Sequence, residues 1–186
     1  MRVVSGFLKG KKISYLKNIN TRPLKDSVKE NIFNILKHSK SSYSNIEKAK
    51  VLDLYSGVGS FGIECISRGA EKVTFIEKDF EASNILKENL TKLSVLNKSN
   101  IVNDKIENFL NKDLEETFNI FFLDPPFKDR KFVDNLKIIN NRRFFNKEHI
   151  IIIHRERKTQ DNLKDFMKLI NIKEYGRSKI IFGYFN

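Results

Sequence analysis

Val51-Leu52-Asp53-Leu54-Tyr55-Ser56-Gly57-Val58-Gly59-Ser60-Phe61-Gly62 is a short apolar run that ends in a turn and opens a helix-like stretch. Its glycines spell G-x-G-x-x-G. Glycines at that spacing let the backbone turn tightly and let a ligand approach the N-terminus of the following helix. Glu77 lies 20 residues beyond Gly57, just after the next apolar run, Val73 to Ile76. A carboxylate there can accept hydrogen bonds from both hydroxyls of a ribose. The pattern therefore predicts an adenosine-containing cofactor, and NAD and S-adenosylmethionine (SAM) both satisfy it. Asp53, four residues before Gly57, favours SAM. That molecule has no pyrophosphate and carries a sulfonium and an ammonium, which a nearby carboxylate suits.

Working outward, Ile120 to Leu123 is a third apolar run, and His149 to His154 encloses four consecutive isoleucines. Continuous runs, rather than alternating ones, suit parallel strands covered on both faces. Between them Ala82, Ile85, Leu86, Leu90 and Leu93 fall on one face of a helix. Strands alternating with helices predict an α/β, doubly wound sheet. Ile172 to Tyr175, then Gly176-Arg177-Ser178, then Lys179 to Phe185 read as a terminal hairpin, able to add an antiparallel strand. At the other end, Val3-Val4, Phe7-Leu8, Ile13 and Tyr15-Leu16 flank Gly10-Lys11-Lys12, the pattern of a Lys-tipped β-hairpin. Thr21-Arg22-Pro23 then opens a helix with Val28, Ile32, Ile35 and Leu36 on one face and Ser27 and Glu30 at capping-box spacing. Residues 37–49 are polar and Ser-rich, like a linker. The expected division is a basic N-terminal extension over 1–49 and a main domain over 50–186.

The 186 residues hold 40% hydrophobic and 31% charged side chains. That balance excludes global disorder and fits one domain of ordinary size. The longest aliphatic run, Ile150 to Ile153, is far below the roughly 18 apolar residues of a membrane span. No apolar signal core follows Met1, so a cytoplasmic protein is expected. The single cysteine, Cys65, excludes an internal disulfide framework and a Cys-paired zinc site. His38, His149 and His154 are scattered, and no metal is expected. Net charge is +12, and it is localised: residues 1–50 hold 12 Lys/Arg against 3 Asp/Glu, the remainder 23 against 20. A basic segment of this kind is the electrostatic footprint of a polyanion. Lys9, Lys11, Lys12 and Arg22, with its neighbour Pro23, are the candidate RNA contacts.

Asp124-Pro125-Pro126-Phe127 directly follows the Phe118 to Leu123 run and holds two of the three prolines. Two prolines stiffen the loop at the carboxyl end of a strand, where open α/β sheets bind ligands. Asp124 supplies an acceptor for an amino group, the Pro125 carbonyl a second, and Phe127 a face on which a base can stack. That set suits methylation of an exocyclic amine. Two acceptors orient the N–H bonds and turn the nitrogen lone pair toward the methyl donor.

The D-P-P-F stretch resembles the Asp/Asn-Pro-Pro-aromatic motif of SAM-dependent amino-methyltransferases. Together with RVVSG, KGKKI, TRP, IFNIL, VLDLYSGVGSFGIE, FIEKD and NDKIENFL in order, it resembles the small bacterial 16S ribosomal RNA (guanine(966)-N(2))-methyltransferases. The resemblance is densest from Met1 to Phe127. It implies a Rossmann-like seven-stranded methyltransferase sheet, SAM as cofactor, and an N-terminal extension that helps hold RNA. The implied substrate is the exocyclic N(2) amine of one guanine in a small-subunit particle. Carried over by position, Asp53, Tyr55, Ser56, Gly57 and Gly59 line the methionine part of SAM. Glu77 takes the ribose hydroxyls, Asp104 meets the adenine amine, and Lys78 and Lys105 flank those carboxylates. Asp124, Pro125, Pro126 and Phe127 hold the target base. Asn103 and Lys105 stand where the family usually has Gly and Ala, and Phe127 where Tyr is usual. The competing readings are an adenine-N(6) methyltransferase, whose amine the loop chemistry does not distinguish, and a non-catalytic RNA-binding factor. A monomer is the expected state.

Overall fold

The computed structural model describes residues 1–16, 24–38 and 45–186. Seven strands form one sheet: β1 (Lys50–Leu54), β2 (Lys72–Ile76), β3 (Ser99–Val102), β4 (Phe118–Leu123), β5 (Phe145–Glu156), β6 (Met167–Tyr175) and β7 (Ser178–Phe185). Their spatial order is β3-β2-β1-β4-β5-β7-β6. β1 to β5 are parallel, and β7 enters antiparallel between β5 and β6. The terminal hairpin expected from the sequence thus completes the sheet. The helices are α1 (Asp26–His38), α2 (Ser60–Ser67), α3 (Phe80–Lys92), α4 (Ile106–Leu110) and α5 (Lys131–Asn141).

The four isoleucines of β5 explain the two layers. Successive strand side chains point to opposite faces. Ile150 and Ile152 join Val73, Phe75, Ile120 and Phe122 beneath α1, α2 and α3. Ile151 and Ile153 join Leu52, Leu54, Phe121 and Leu123 beneath α4 and α5. The N-terminal segment shares the first of these cores through Val3, Leu8, Ile13, Val28, Ile32 and Phe33. Rings tie it to the sheet: Phe33 stacks on Phe61 at 5.1 Å, and Phe61 on Phe122 at 3.9 Å between centroids.

Two local features of the N-terminal segment add detail to the expectation. The N-terminal hairpin is a looped segment closed by one antiparallel bridge, Arg2 to Lys12. Backbone bonds across its two arms support that bridge: the Val3 amide donates to the Lys11 carbonyl and the Gly10 amide to the Val3 carbonyl, both at 2.9 Å, and the Ile13 amide to the Met1 carbonyl at 3.0 Å. The loop also docks on α2, where the Phe7 amide donates to the Ser67 carbonyl and the Leu8 amide to the Ser67 hydroxyl. Docking on α2 adds to this pairing rather than replacing it. α1 begins at Asp26, with the Lys29 amide bonded to the Lys25 carbonyl, so Ser27 lies inside the first turn and is no cap. Pro23 and Arg22 lie outside the described residues.

Candidate active site

Strand order reverses between β1 and β4, so their carboxyl ends open a crevice. The register pairs Leu54 with Leu123, which sets the glycine loop beside the D-P-P-F loop. A cavity of about 1260 Å³ lies there. Its wall includes Asp53, Tyr55, Ser56, Gly57, Glu77, Lys78, Asp104, Lys105, Asp124, Pro125, Pro126 and Phe127. Of the expected cofactor residues only Gly59 is absent from the wall, and it shapes the turn instead. At φ +86° it occupies the left-handed region, and a Cβ there would sit 2.3 Å from Leu86 Cδ1. Gly57 (φ +53°) has open space where its Cβ would be, and a ligand can approach its backbone there.

The acids are arranged in three ways. Asp53 is buried, and its Oδ2 accepts from the Gly62 amide at 3.0 Å. Its Oδ1 is buried with no partner. Burial, and then the nearby Asp124 and Glu77 carboxylates, push its pKa well above the ordinary value. A buried, unpaired carboxylate oxygen at the head of the glycine loop fits a cationic ligand. Glu77 accepts from the Gly57 amide at 2.7 Å and the Asp79 amide at 2.8 Å, which fixes it at the loop's edge. Asp104 accepts from Asn108 Nδ2 and from the Lys105 amide, both at 2.7 Å. The Asn108 bond leads in holding its carboxyl below the usual range. Asn103 donates from Nδ2 to the Glu77 carbonyl at 2.8 Å, tying the two cofactor-side loops together.

In the D-P-P-F loop Asp124 Oδ1 lies 2.9 Å from His154 Nδ1. The Phe127 and His154 rings meet edge to face, with centroids 6.3 Å apart. Arg155 is buried beneath the loop. It donates to the carbonyls of Pro126 (3.2 Å) and Phe127 (3.3 Å) and pairs with Asp161 at 3.1 Å. In the sequence His154-Arg155-Glu156 reads as the end of a strand that could face the rim of the site, with no assigned role. The signal for His154 and Arg155 was the alternation at the end of the isoleucine run, which turns the two to opposite faces. Lys9, Lys11 and Lys12 are exposed and away from the cavity wall. From the same segment Met1, Tyr15 and Leu16 do line it. Cys65 is buried in the core, its thiol pushed up by burial. Among the described residues no His, Cys, Asp and Glu side chains cluster as a metal site, and no helix is long and apolar enough to cross a membrane.

A parallel sheet with an antiparallel penultimate strand, and a glycine loop facing a D-P-P-F loop across its switch point, defines a Rossmann-like methyltransferase. The chain belongs to the family described as conserved hypothetical protein 95, whose model matches residues 1–184. It is 33% identical to the candidate rRNA methyltransferase YlbH of Bacillus subtilis, covering 86% of this chain and 85% of that one. It is 31% identical to the ribosomal RNA small subunit methyltransferase D of Buchnera aphidicola (strain APS), over 84% and 78% of the two chains. Among solved structures, the candidate methyltransferase yhhF of Escherichia coli superposes with a TM-score of 0.85. It is 26% identical, with 100% of this chain and 98% of that one covered.

Proposed function

We propose that the protein transfers a methyl group from SAM to the exocyclic N(2) amine of a guanine in 16S ribosomal RNA. The observation that carries this is the meeting of two loops in one cavity: Asp53 and Glu77 on one side, Asp124 and Phe127 on the other. The small-subunit rRNA named for the Buchnera relative supports the choice of polymer. The unpaired Asp53 Oδ1 and the open approach to Gly57 suit the charged methionine end of SAM. Glu77 would hold the ribose, with Lys78 beside it, and Asp104 with Lys105 would border the adenine. When bound, SAM supplies an electrophilic methyl carbon next to a sulfonium.

The chain's own residues do the rest. Phe127 stacks on the extruded base and shields it from water. Asp124 accepts an N–H of the amine, and the Pro125 carbonyl accepts the second, so the nitrogen lone pair points at the methyl carbon. As that nitrogen gains positive charge the Asp124 bond strengthens, which lowers the barrier rather than merely aiding binding. Lys9, Lys11 and Lys12 would hold RNA outside the cavity, with Arg22 and Pro23 as further RNA contacts, making residues 1–49 the RNA-contacting unit and 50–186 the catalytic one. The protein would work as a monomer in the cytoplasm on rRNA within a small-subunit particle.

The test is transfer of labelled methyl to small-subunit RNA, naked and in particles, with the product nucleoside identified. N(2)-methylguanine is expected. N(6)-methyladenine would move the reading to an adenine enzyme, and no transfer despite tight RNA binding would make the protein a binding factor.

A further inference from the structure

The D-P-P-F loop is gripped from both faces of β5. Successive residues of a strand point to opposite sides. Arg155 turns to one side and ties down the carbonyls of Pro126 and Phe127, itself fixed by Asp161. His154 turns to the other and meets Asp124 Oδ1 through Nδ1 at 2.9 Å. An ionised carboxylate only accepts hydrogen bonds, so the proton of that contact sits on the His154 Nδ1. The second oxygen, Asp124 Oδ2, has no hydrogen-bond partner among the described residues, and Asp124 borders the cavity.

We infer that His154 is a positioning residue: it pins one carboxylate oxygen of Asp124 so that the other is presented to the substrate amine. The need for a pin is geometric. Asp124 is about a quarter exposed beside an open cavity. Free rotation there spreads Oδ2 over several rotamers. A charge-assisted bond from a side chain that is 10% exposed holds a single orientation. An acceptor fixed before the substrate arrives lowers the reorganisation needed in the transition state. The inference rests on the proposed role of Asp124, and its tests separate the two.

Two measurements decide it. The first needs no substrate. In 15N-histidine spectra His154 should carry its proton on Nδ1 in the wild-type protein and revert to the solution-favoured Nε2–H form in Asp124→Ala. His149 is an internal control. Its Nε2 accepts from the Phe185 amide at 2.9 Å, and its Nδ1 faces the Asn146 carbonyl at 2.8 Å, so it should not respond. The second is kinetic. Asn mimics the Nδ1–H donor without the ring, so His154→Asn should keep kcat within about threefold of wild type. His154→Leu should lower kcat tenfold or more, with the RNA KM and the SAM Kd unchanged. An Nε2–H tautomer in the wild-type protein, or a wild-type kcat in His154→Leu, overturns the inference and leaves the proposed reaction standing. A wild-type protein with the Asp124-dependent tautomer and no methyl transfer overturns the reaction and leaves the pin.

Discussion

In the proposed reaction Asp124 and Phe127 would touch the same base in different ways, and their variants should separate accordingly. Base–aromatic stacking is worth about 1–3 kcal/mol and acts in ground and transition state alike. Phe127→Tyr should be nearly neutral, and Phe127→Ala should raise KM roughly ten- to a hundredfold with a modest effect on kcat. Asp124→Ala should instead cut kcat by about a hundredfold or more while RNA and SAM binding persist. Single-turnover transfer of labelled methyl reads both. A wild-type rate in Asp124→Ala means that the chemistry lies elsewhere. Asp53 makes a second residue-scale case. Its pKa is raised by burial, so the folded state prefers the protonated form more than the unfolded state does. The stability it contributes is complete below the ordinary carboxylate range and is lost as pH rises through its folded value. Asp53→Asn should therefore flatten the dependence of Tm on pH in the ligand-free protein, raising Tm near neutrality. The same change should weaken SAM binding at least tenfold, because the carboxylate suits a cationic ligand. A melting series with calorimetric SAM titration checks both signs, and an unaltered pH dependence counts against a raised Asp53 pKa in the folded state.

At the scale of the element, legibility followed burial. β1, β2, β4 and β5 lie inside the sheet, and Val51–Leu54, Val73–Ile76, Ile120–Leu123 and Ile150–Ile153 are unbroken apolar runs, visible without a structure. β3 was not legible. It is a short edge strand, Ser99-Asn100-Ile101-Val102, and none of its residues is fully buried. No hydrophobic pattern marks such a strand; its pairing with β2 does. The N-terminal hairpin was legible from its alternation around Gly10-Lys11-Lys12, and its arms are joined by backbone bonds; its docking on α2 was not, because Ser67 lies 59 residues beyond Leu8. The glycine loop was readable because its turn demands specific backbone angles. His154 and Arg155 were not, because their partners are 30 residues away or, for Asp161, in an irregular segment. The Gly59 turn can be tested directly. Gly59→Ala places a Cβ at φ +86° against Leu86, at a cost of about 1–3 kcal/mol. Tm should fall by roughly 3–10 °C, and SAM affinity should fall with it as the loop shifts. An unchanged Tm would mean the turn relaxes without strain.

Charge is divided unequally over the molecule, with 12 Lys/Arg against 3 Asp/Glu in residues 1–50 and 23 against 20 beyond them, and the joint between the N-terminal segment and α2 is buried. Glu64, fully buried on α2, accepts from the Val4 amide at 2.7 Å and the Ser5 amide at 2.9 Å. Lys29 of α1, also buried, faces Glu64 at 3.6 Å and donates to the Arg2 carbonyl at 2.8 Å. Burial lowers the Lys29 pKa while Glu64 and Asp26 oppose that shift. Breaking one partner of a buried pair costs about 3–5 kcal/mol. Glu64→Gln should sit near 3 kcal/mol, because Asp26 still faces Lys29 at 3.8 Å, and urea unfolding measures it. The arm itself is then presented on a fixed base, with Lys9, Lys11 and Lys12 exposed and free of ion pairs among the described residues. Each phosphate contact contributes about 0.7–0.9 to the slope of log affinity against log salt. A Lys9/Lys11/Lys12 triple alanine variant should lose roughly 2–2.7 of that slope if all three lysines reach phosphates. SAM affinity and Tm should not move, since none of the three borders the cavity or packs in the core. Glu64→Gln should behave differently, losing stability first and RNA affinity only as the loosened arm no longer holds its lysines in register. RNA titrations across a salt series separate the two variants. A triple variant with the wild-type slope would return these lysines to a solvated tip and move the RNA grip elsewhere on the chain.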